Sequence, residues 1–291
     1  MNDRVDIQGA IDIHIHSHPC LFPRIADDRA IAQAAAEAGL AAIMLKCHHE
    51  STVSRAYLLQ SEFPEIKIFG GIVLNSYVGG INPSAVEAAL RIGGKEVWMP
   101  TMESAHHAEV HGAIGVYDVQ ASGGTKTKKG ITVLKDGKLI PEAIEVLELI
   151  ARYNAILGTA HLSVPEIRLL VAEAREQGVE KILITHPFFR VPVGAENLDF
   201  LKEMVSLGAI AEFGYCSVSP MWAYATVEQV KETILALGVE NCIVMSDCGQ
   251  RHNPMPHEGL RIYAQCLYEK GMAEKDVERL IKTNPRQLLG L

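Results

Sequence analysis

Eight apolar runs of strand length, separated by helical patterns along most of the chain, restrict this sequence to very few folds. The first is Ile11-Asp12-Ile13-His14-Ile15-His16, and the others cover 40–45, 67–73, 95–99, 155–161, 181–187, 209–214 and 242–247. Helical patterns span 26–39, 51–62, 83–92, 141–153, 165–177, 196–207 and 227–237, with two terminal helices at 259–269 and 274–282. Strand-helix alternation implies parallel strands joined by crossover helices, and eight such units are what a closed barrel needs. The chain's 291 residues suit one barrel of roughly 250 residues with additions. An open doubly wound sheet is the alternative, but no glycine-rich phosphate loop follows the first strand. The reading is a single α/β domain over 1–291, a (β/α)8 TIM barrel.

The rhythm breaks between Glu103 and Pro141. His106, His107 and His111 precede a Gly/Lys/Thr-rich stretch, Ser122 to Gly130, and Asp136-Gly137 marks a hairpin turn between 131–134 and 138–140. Residues 104–141 therefore read as an insertion after strand four, either a solvated loop or a lid that closes on an anionic substrate.

With 27 basic against 35 acidic residues and a net charge of -8, the chain lacks the charge expected of a surface that grips phosphate backbones, so nucleic acid is not expected as a partner. No apolar run is long enough to span a bilayer, and no membrane partner is expected. Cys20, Cys47, Cys216, Cys242, Cys248 and Cys266 form no C-x-x-C pair. They read as reduced thiols of a cytoplasmic protein, several serving as small hydrophobes in apolar runs. The expected partner is a small-molecule substrate, and a homo-oligomer is compatible with this reading.

Alternation along the first strand turns His14 and His16 to one face and Ile13 and Ile15 to the other. Two neutral imidazoles on a rigid strand suit a first-row metal ion. As a plain polar strand, the same stretch would leave Asp12 and His18 as solvated neighbours. In a barrel all strand C-termini open on one face. That face would gather His14 and His16 from strand one, Lys46 and His48 from two, Glu103 past four, His161 from five, His186 from six, Glu212 from seven and Asp247 from eight.

This constellation resembles the amidohydrolase superfamily of metal-dependent barrel hydrolases, through the His-x-His pair, His161, His186 and Asp247. The resemblance implies that His14, His16, His161 and Asp247 are metal ligands, and that His186 binds a second metal or the substrate. Binuclear members carry a bridging lysine or glutamate on strand four. Here that strand reads Val97-Trp98-Met99-Pro100-Thr101-Met102-Glu103, without a lysine and with Glu103 far into the loop. A single divalent ion is expected, Zn2+ by its donors, with Mn2+ or Fe2+ as alternatives.

Such an ion lowers the pKa of bound water from about 16 towards 7. Asp247 would take and return the proton, while His186 would stabilise the oxyanion. Lys46, His48, Glu103, Arg190 and Arg251 are the candidate substrate-binding residues, the arginines for a carboxylate. Phe188, Phe189, Tyr215, Met221, Trp222 and Tyr224 would supply an apolar wall. The expected reaction is hydrolysis of an amide, cyclic amide or lactone. A metal-dependent lyase is the second reading, and a phosphoesterase or a non-catalytic binding barrel are further ones.

Overall fold

Isoleucine on one face of the first strand and polar residues on the other need two different environments, and a barrel wrapped in helices supplies both. Strand β1 (Ile11–His16) is buried along its whole length. It pairs in parallel with β2 (Ala42–Lys46), which continues to β3 (Lys67–Val73) and β4 (Glu96–Trp98). The short antiparallel hairpin β5 (Leu134–Lys135) and β6 (Lys138–Leu139) lies outside this sheet, so β4 pairs directly with β7 (Ile156–Gly158). Parallel pairing then runs through β8 (Lys181–Thr185) and β9 (Ile210–Gly214) to β10 (Cys242–Met245). This computed structural model describes residues 5–115, 130–190 and 192–291, and of Arg190 the backbone alone.

The barrel closes where β10 and the loop after it meet β1. His16 N donates to the Cys248 carbonyl (2.8 Å) and Asp247 N to the His14 carbonyl (3.0 Å), while Ile15 and Cys248 form a parallel bridge. Asp12 Oδ1 accepts from Ser246 N at 3.1 Å. Asp12 is thus a buried seam residue rather than a solvated one, and His18 Nε2 accepts from Arg24 N at 3.1 Å. Inside the barrel, Trp98 is fully buried between Gly71 and Gly158, where a Cβ on either glycine would run into the indole.

Local signals explain most helices. Asp27 caps the helix Asp28–Glu37, and Ser163 with Glu166 forms a capping box on Val164–Glu176. Glu166 also accepts from Thr132 Oγ1 (2.6 Å) and Val133 N (3.2 Å), which ties the end of the insertion to the barrel. The hairpin turn at Asp136-Gly137 has positive φ at both residues, as a tight two-residue hairpin demands.

Three features depart from the sequence reading. The insertion opens with a helix, Ala105–His111, capped by Ser104 at its start and by Gly112 in the left-handed region at its end. A one-turn helix, Pro187–Arg190, follows β8. The last helix does not stop at 282. A π-helical turn, Arg279–Thr283, carries it into Asn284–Leu289, because Pro285 sits in a first turn, where its missing N–H costs nothing. Of the insertion read as a loop or lid, 116–129 lie outside the described residues, and with them all of the Gly/Lys/Thr-rich stretch but Gly130. Among the described residues no helix is long and apolar enough to cross a membrane.

Gly249 takes φ 129° at the closing seam, and a Cβ there would overlap the His16 carbonyl. Gly249→Ala should therefore cost about 2–4 kcal/mol through strain and overpacking. Denaturant melts of the purified variant measure it; an unchanged midpoint would show that the seam is not close-packed.

Candidate metal centre

Inward-facing positions at the C-terminal ends of β1, β8 and β10 converge on one point. His14, His186 and Asp247 each offer a ligand atom, and these atoms lie within 4.8 Å of one another. Asp247 Oδ1 is 3.4 Å from His14 Nε2 and 3.1 Å from His16 Nε2, and its Oδ2 is 3.5 Å from His186 Nε2. The backbone is bent to make this happen. Ala160, His186 and Asp247, at or just past the ends of β7, β8 and β10, take φ of 49°, 51° and 47°. Left-handed conformations at non-glycine residues cost of order 1–3 kcal/mol each and persist where the surroundings impose them. For Asp247 the bond from its N–H to His14 is one such restraint.

Partners on the far side of each ring fix which nitrogen faces the centre. His14 Nδ1 donates to Glu212 Oε1 (3.2 Å), and His16 Nδ1 donates to the Lys46 carbonyl (3.1 Å). Both rings then present Nε2 inward, the arrangement by which carboxylates and carbonyls orient metal-binding histidines. Burial, with Arg24 adding to it, brings His16 down to about 3, and burial brings His186 down to about 3. Both imidazoles are therefore neutral at neutral pH, with lone pairs available for an ion. Burial would raise Asp247, but His14, His16 and His186 outweigh it and hold the carboxyl well below its usual range. Two imidazole nitrogens and an ionised carboxylate in this small space fit a divalent first-row ion.

Lys46 belongs to the same cluster. Its Nζ is 2.9 Å from His14 Nε2 and 5.1 Å from the centre of the Trp98 ring. Burial lowers its ammonium below the ordinary value against the pull of Asp247, Glu212 and Glu96. Beneath it, burial and the neighbouring Glu212 push Glu96 well above the carboxylate range.

Above the centre is a cavity of about 410 Å³. Lys46, His48, His161, His186 and Arg251 line it, as do the expected Phe188, Phe189, Met221, Trp222 and Tyr224. His48 Nδ1 is held at 2.9 Å by Thr101 Oγ1. His161 is buried in the wall with its ring 5.5 Å from that of His186. Its Nδ1 lies 3.0 Å from His107 Nδ1. Glu103 is not brought to the cavity: its carboxylate accepts from Ser76 N (2.5 Å) and Ser76 Oγ (2.9 Å) and so secures the turn after β3. Tyr215 packs edge-on against Tyr263, outside the lining. The side chain of Arg190 lies outside the described residues.

Two residues of the site went unread in the sequence. Arg24, from the loop after β1, lines the cavity while 5% exposed, and its Nη2 has no hydrogen-bond partner among the described residues. No local pattern marks it, since only the folding back of its loop brings it to the cavity. Cys216 follows β9 and donates from Sγ to Asp247 Oδ2 at 2.8 Å. Burial and the charge of Asp247 keep its thiol protonated, well above the ordinary value. Its place directly after a barrel strand was the available signal.

Known proteins place this architecture. An amidohydrolase from Pseudomonas aeruginosa is similar in structure, with 12% identity, a TM-score of 0.61 and 97% of each chain covered. So is 2,6-dihydroxybenzoate decarboxylase from Rhizobium, with 11% identity, a TM-score of 0.57, and 97% of this chain and 99% of that one covered. The β-aspartyl dipeptidase of Fervidobacterium islandicum has 12% identity and a TM-score of 0.59 over 98% of this chain and 75% of that one. At these identities the likeness is one of fold alone. None of the curated proteins matches the sequence. A family model described as "Family of unknown function (DUF6282)" matches residues 9–212, from the approach to β1 into β9, and the chain belongs to that family.

Proposed function

We propose that this chain is a metal-dependent hydrolase that cleaves a C–N or C–O bond in a small molecule bearing a carboxylate. The observation that carries the proposal is a convergent, oriented His/His/Asp group at the base of a cavity that also holds a buried guanidinium whose Nη2 has no hydrogen-bond partner among the described residues. His14, His16, His186 and Asp247 would hold the ion, and Zn2+ suits these donors best. When bound, such an ion supplies an acidified water and polarises a carbonyl.

The chain's own groups supply the rest. Glu212 and the Lys46 carbonyl keep His14 and His16 in the presenting tautomer. Asp247 takes a proton from the attacking water and delivers it to the leaving nitrogen or oxygen, while Cys216 steadies Oδ2. Arg24 receives the substrate carboxylate, because its buried Nη2 has no hydrogen-bond partner among the described residues and a charge-assisted bond would satisfy it. His161 and the aromatic residues form the wall that excludes bulk water. Decarboxylation is the second reading: strand four carries no lysine and Ser76 holds Glu103 away from the centre, so a single ion is favoured, and a carboxylate held by Arg24 is one that an enzyme of this fold could also remove.

Asp247→Asn should lower kcat by about 10²–10⁴-fold with the far-ultraviolet circular dichroism unchanged. Full activity in that variant would overturn the mechanism, and carbon dioxide among the products would favour the lyase. Arg24→Gln should raise KM about 10–100-fold for carboxylate substrates, the worth of a charge-assisted bond. It should leave the KM of their methyl esters nearly unchanged, and an equal loss for both would remove Arg24 from substrate binding.

Burial depresses His16, His48, His161 and His186, whereas unfolded histidines titrate near 6.5. Below about pH 6.5 the unfolded chain takes up protons that the folded one refuses, so stability present above that pH is lost on acidification. Asp247 and Glu212 act in the same direction at lower pH. Asp12, raised to about 7, and Glu96 oppose it but are fewer. Metal-free protein should be less stable at pH 5.5 than at 7.5 by about 1 kcal/mol or more. Denaturant titrations in chelator test this, and equal stability would place charged imidazoles in the folded site.

A further inference from the structure

Beside the cavity, and separate from it, a second set of ligand atoms converges. Cys20, from the loop after β1, meets Cys47 and His49, from the loop after β2, with Cys20 Sγ, Cys47 Sγ and a ring nitrogen of His49 within 4.8 Å of one another. His49 Nδ1 is 3.7 Å from Cys20 Sγ and 3.9 Å from Cys47 Sγ. None of the three lines the cavity. His48 does, so successive residues of one loop serve opposite sides of it. We propose that Cys20, Cys47 and His49 form a second metal site for a thiolate-preferring ion such as Zn2+, which staples the β1 and β2 loops together.

Distances support coordination. With Zn–S of about 2.3 Å and Zn–N of about 2.0 Å, a tetrahedral ion places each sulfur about 3.5 Å from the imidazole nitrogen. The observed separations need to close by only a few tenths of an ångström. The donors are also prepared. Arg24 Nε donates to Cys20 Sγ at 3.3 Å, so a cation already faces that sulfur. Binding a divalent ion releases the thiol protons to solvent and leaves both sulfurs as thiolates. The two loops are already aligned, since Arg55 forms ion pairs with Asp28 (2.7 Å) and Glu50 (2.7 Å) and donates to the Pro19 carbonyl (3.1 Å). Three protein ligands leave a fourth position for water.

The staple would act on the cavity through its neighbours. Phe22 and Arg24 follow Cys20 in the chain and line the cavity, as does His48. The Phe22 ring lies 5.3 Å from that of His49 and 5.9 Å from that of His48, between the two sites. An ion on the cysteines thus holds the wall that carries the carboxylate-binding guanidinium. This site goes beyond the proposed hydrolase and stands without it.

The test uses Co2+ as a spectroscopic probe and Zn2+ as competitor on the full chain, reduced and stripped with chelator. A sulfur-to-cobalt charge-transfer band is expected in wild type, in Cys216→Ser and in the His14→Ala, His16→Ala double variant, with one equivalent of Zn2+ bleaching it in the last. The band should vanish in the Cys20→Ser, Cys47→Ser double variant and weaken in His49→Gln. Zn2+ should raise the Tm of the histidine variant and leave that of a histidine-plus-cysteine variant unmoved. No band in folded wild type, or a band that survives loss of both cysteines, would overturn the proposal. So would a Cys20–Cys47 disulfide found by peptide mapping of protein kept from reductant, which would make the pair a redox couple instead.

Discussion

The seam between β10 and β1 is the contact on which both barrel and site depend. Strands β2 to β9 are held by ordinary ladders, but the last junction rests on a few bonds around Asp12, His14, His16, Ser246, Asp247 and Cys248. Those bonds also set the site, because the N–H of Asp247 binds the carbonyl of His14 while their side chains meet across the same gap. Closing the barrel and assembling the donors are one event. The left-handed turns at His186 and Asp247 are tolerable because the closed sheet leaves the backbone no alternative there.

Beneath the donors, the barrel interior is polar where most cores are apolar. Lys46, Glu96, Glu212 and His14 are all buried, with Trp98 filling the remaining space between two glycines. Burying so many ionisable groups is unfavourable unless each finds a partner or gives up its charge. Glu212 does the first with His14, and burial pushes Lys46 and Glu96 towards the second. The interior thereby spends stability on orientation: it is the shell that turns two histidines inward.

The cavity wall inherits its shape from the loops after β1 and β2. Arg24 reaches the cavity because its loop folds back over the strand ends, with Ile25 N bonded to the Gly249 carbonyl and the His18 ring receiving Arg24 N. The same folding carries Cys20 onto Cys47 and His49. The cavity wall at Arg24 and the cysteine cluster are therefore linked by a stretch of five residues, and whatever stiffens one stiffens the other.

Periodicity alone determined the order and number of the barrel strands, because an apolar run between two helical patterns has few other uses, and strand-end histidines and Asp247 were legible as a metal-binding set. The tertiary structure decided which of them meet. His161 stands at a strand end like His186, and its Nδ1 meets that of His107, from a helix that the sequence reading passed over. Glu103 lies only a few residues past β4, but Ser76 claims it. Arg24, Cys216 and the Cys20, Cys47, His49 cluster carry no local spacing signal at all. Strand and helix are set by patterns within a few residues, whereas these contacts join loops 20 or more positions apart, and only the closed barrel brings such loops to one face.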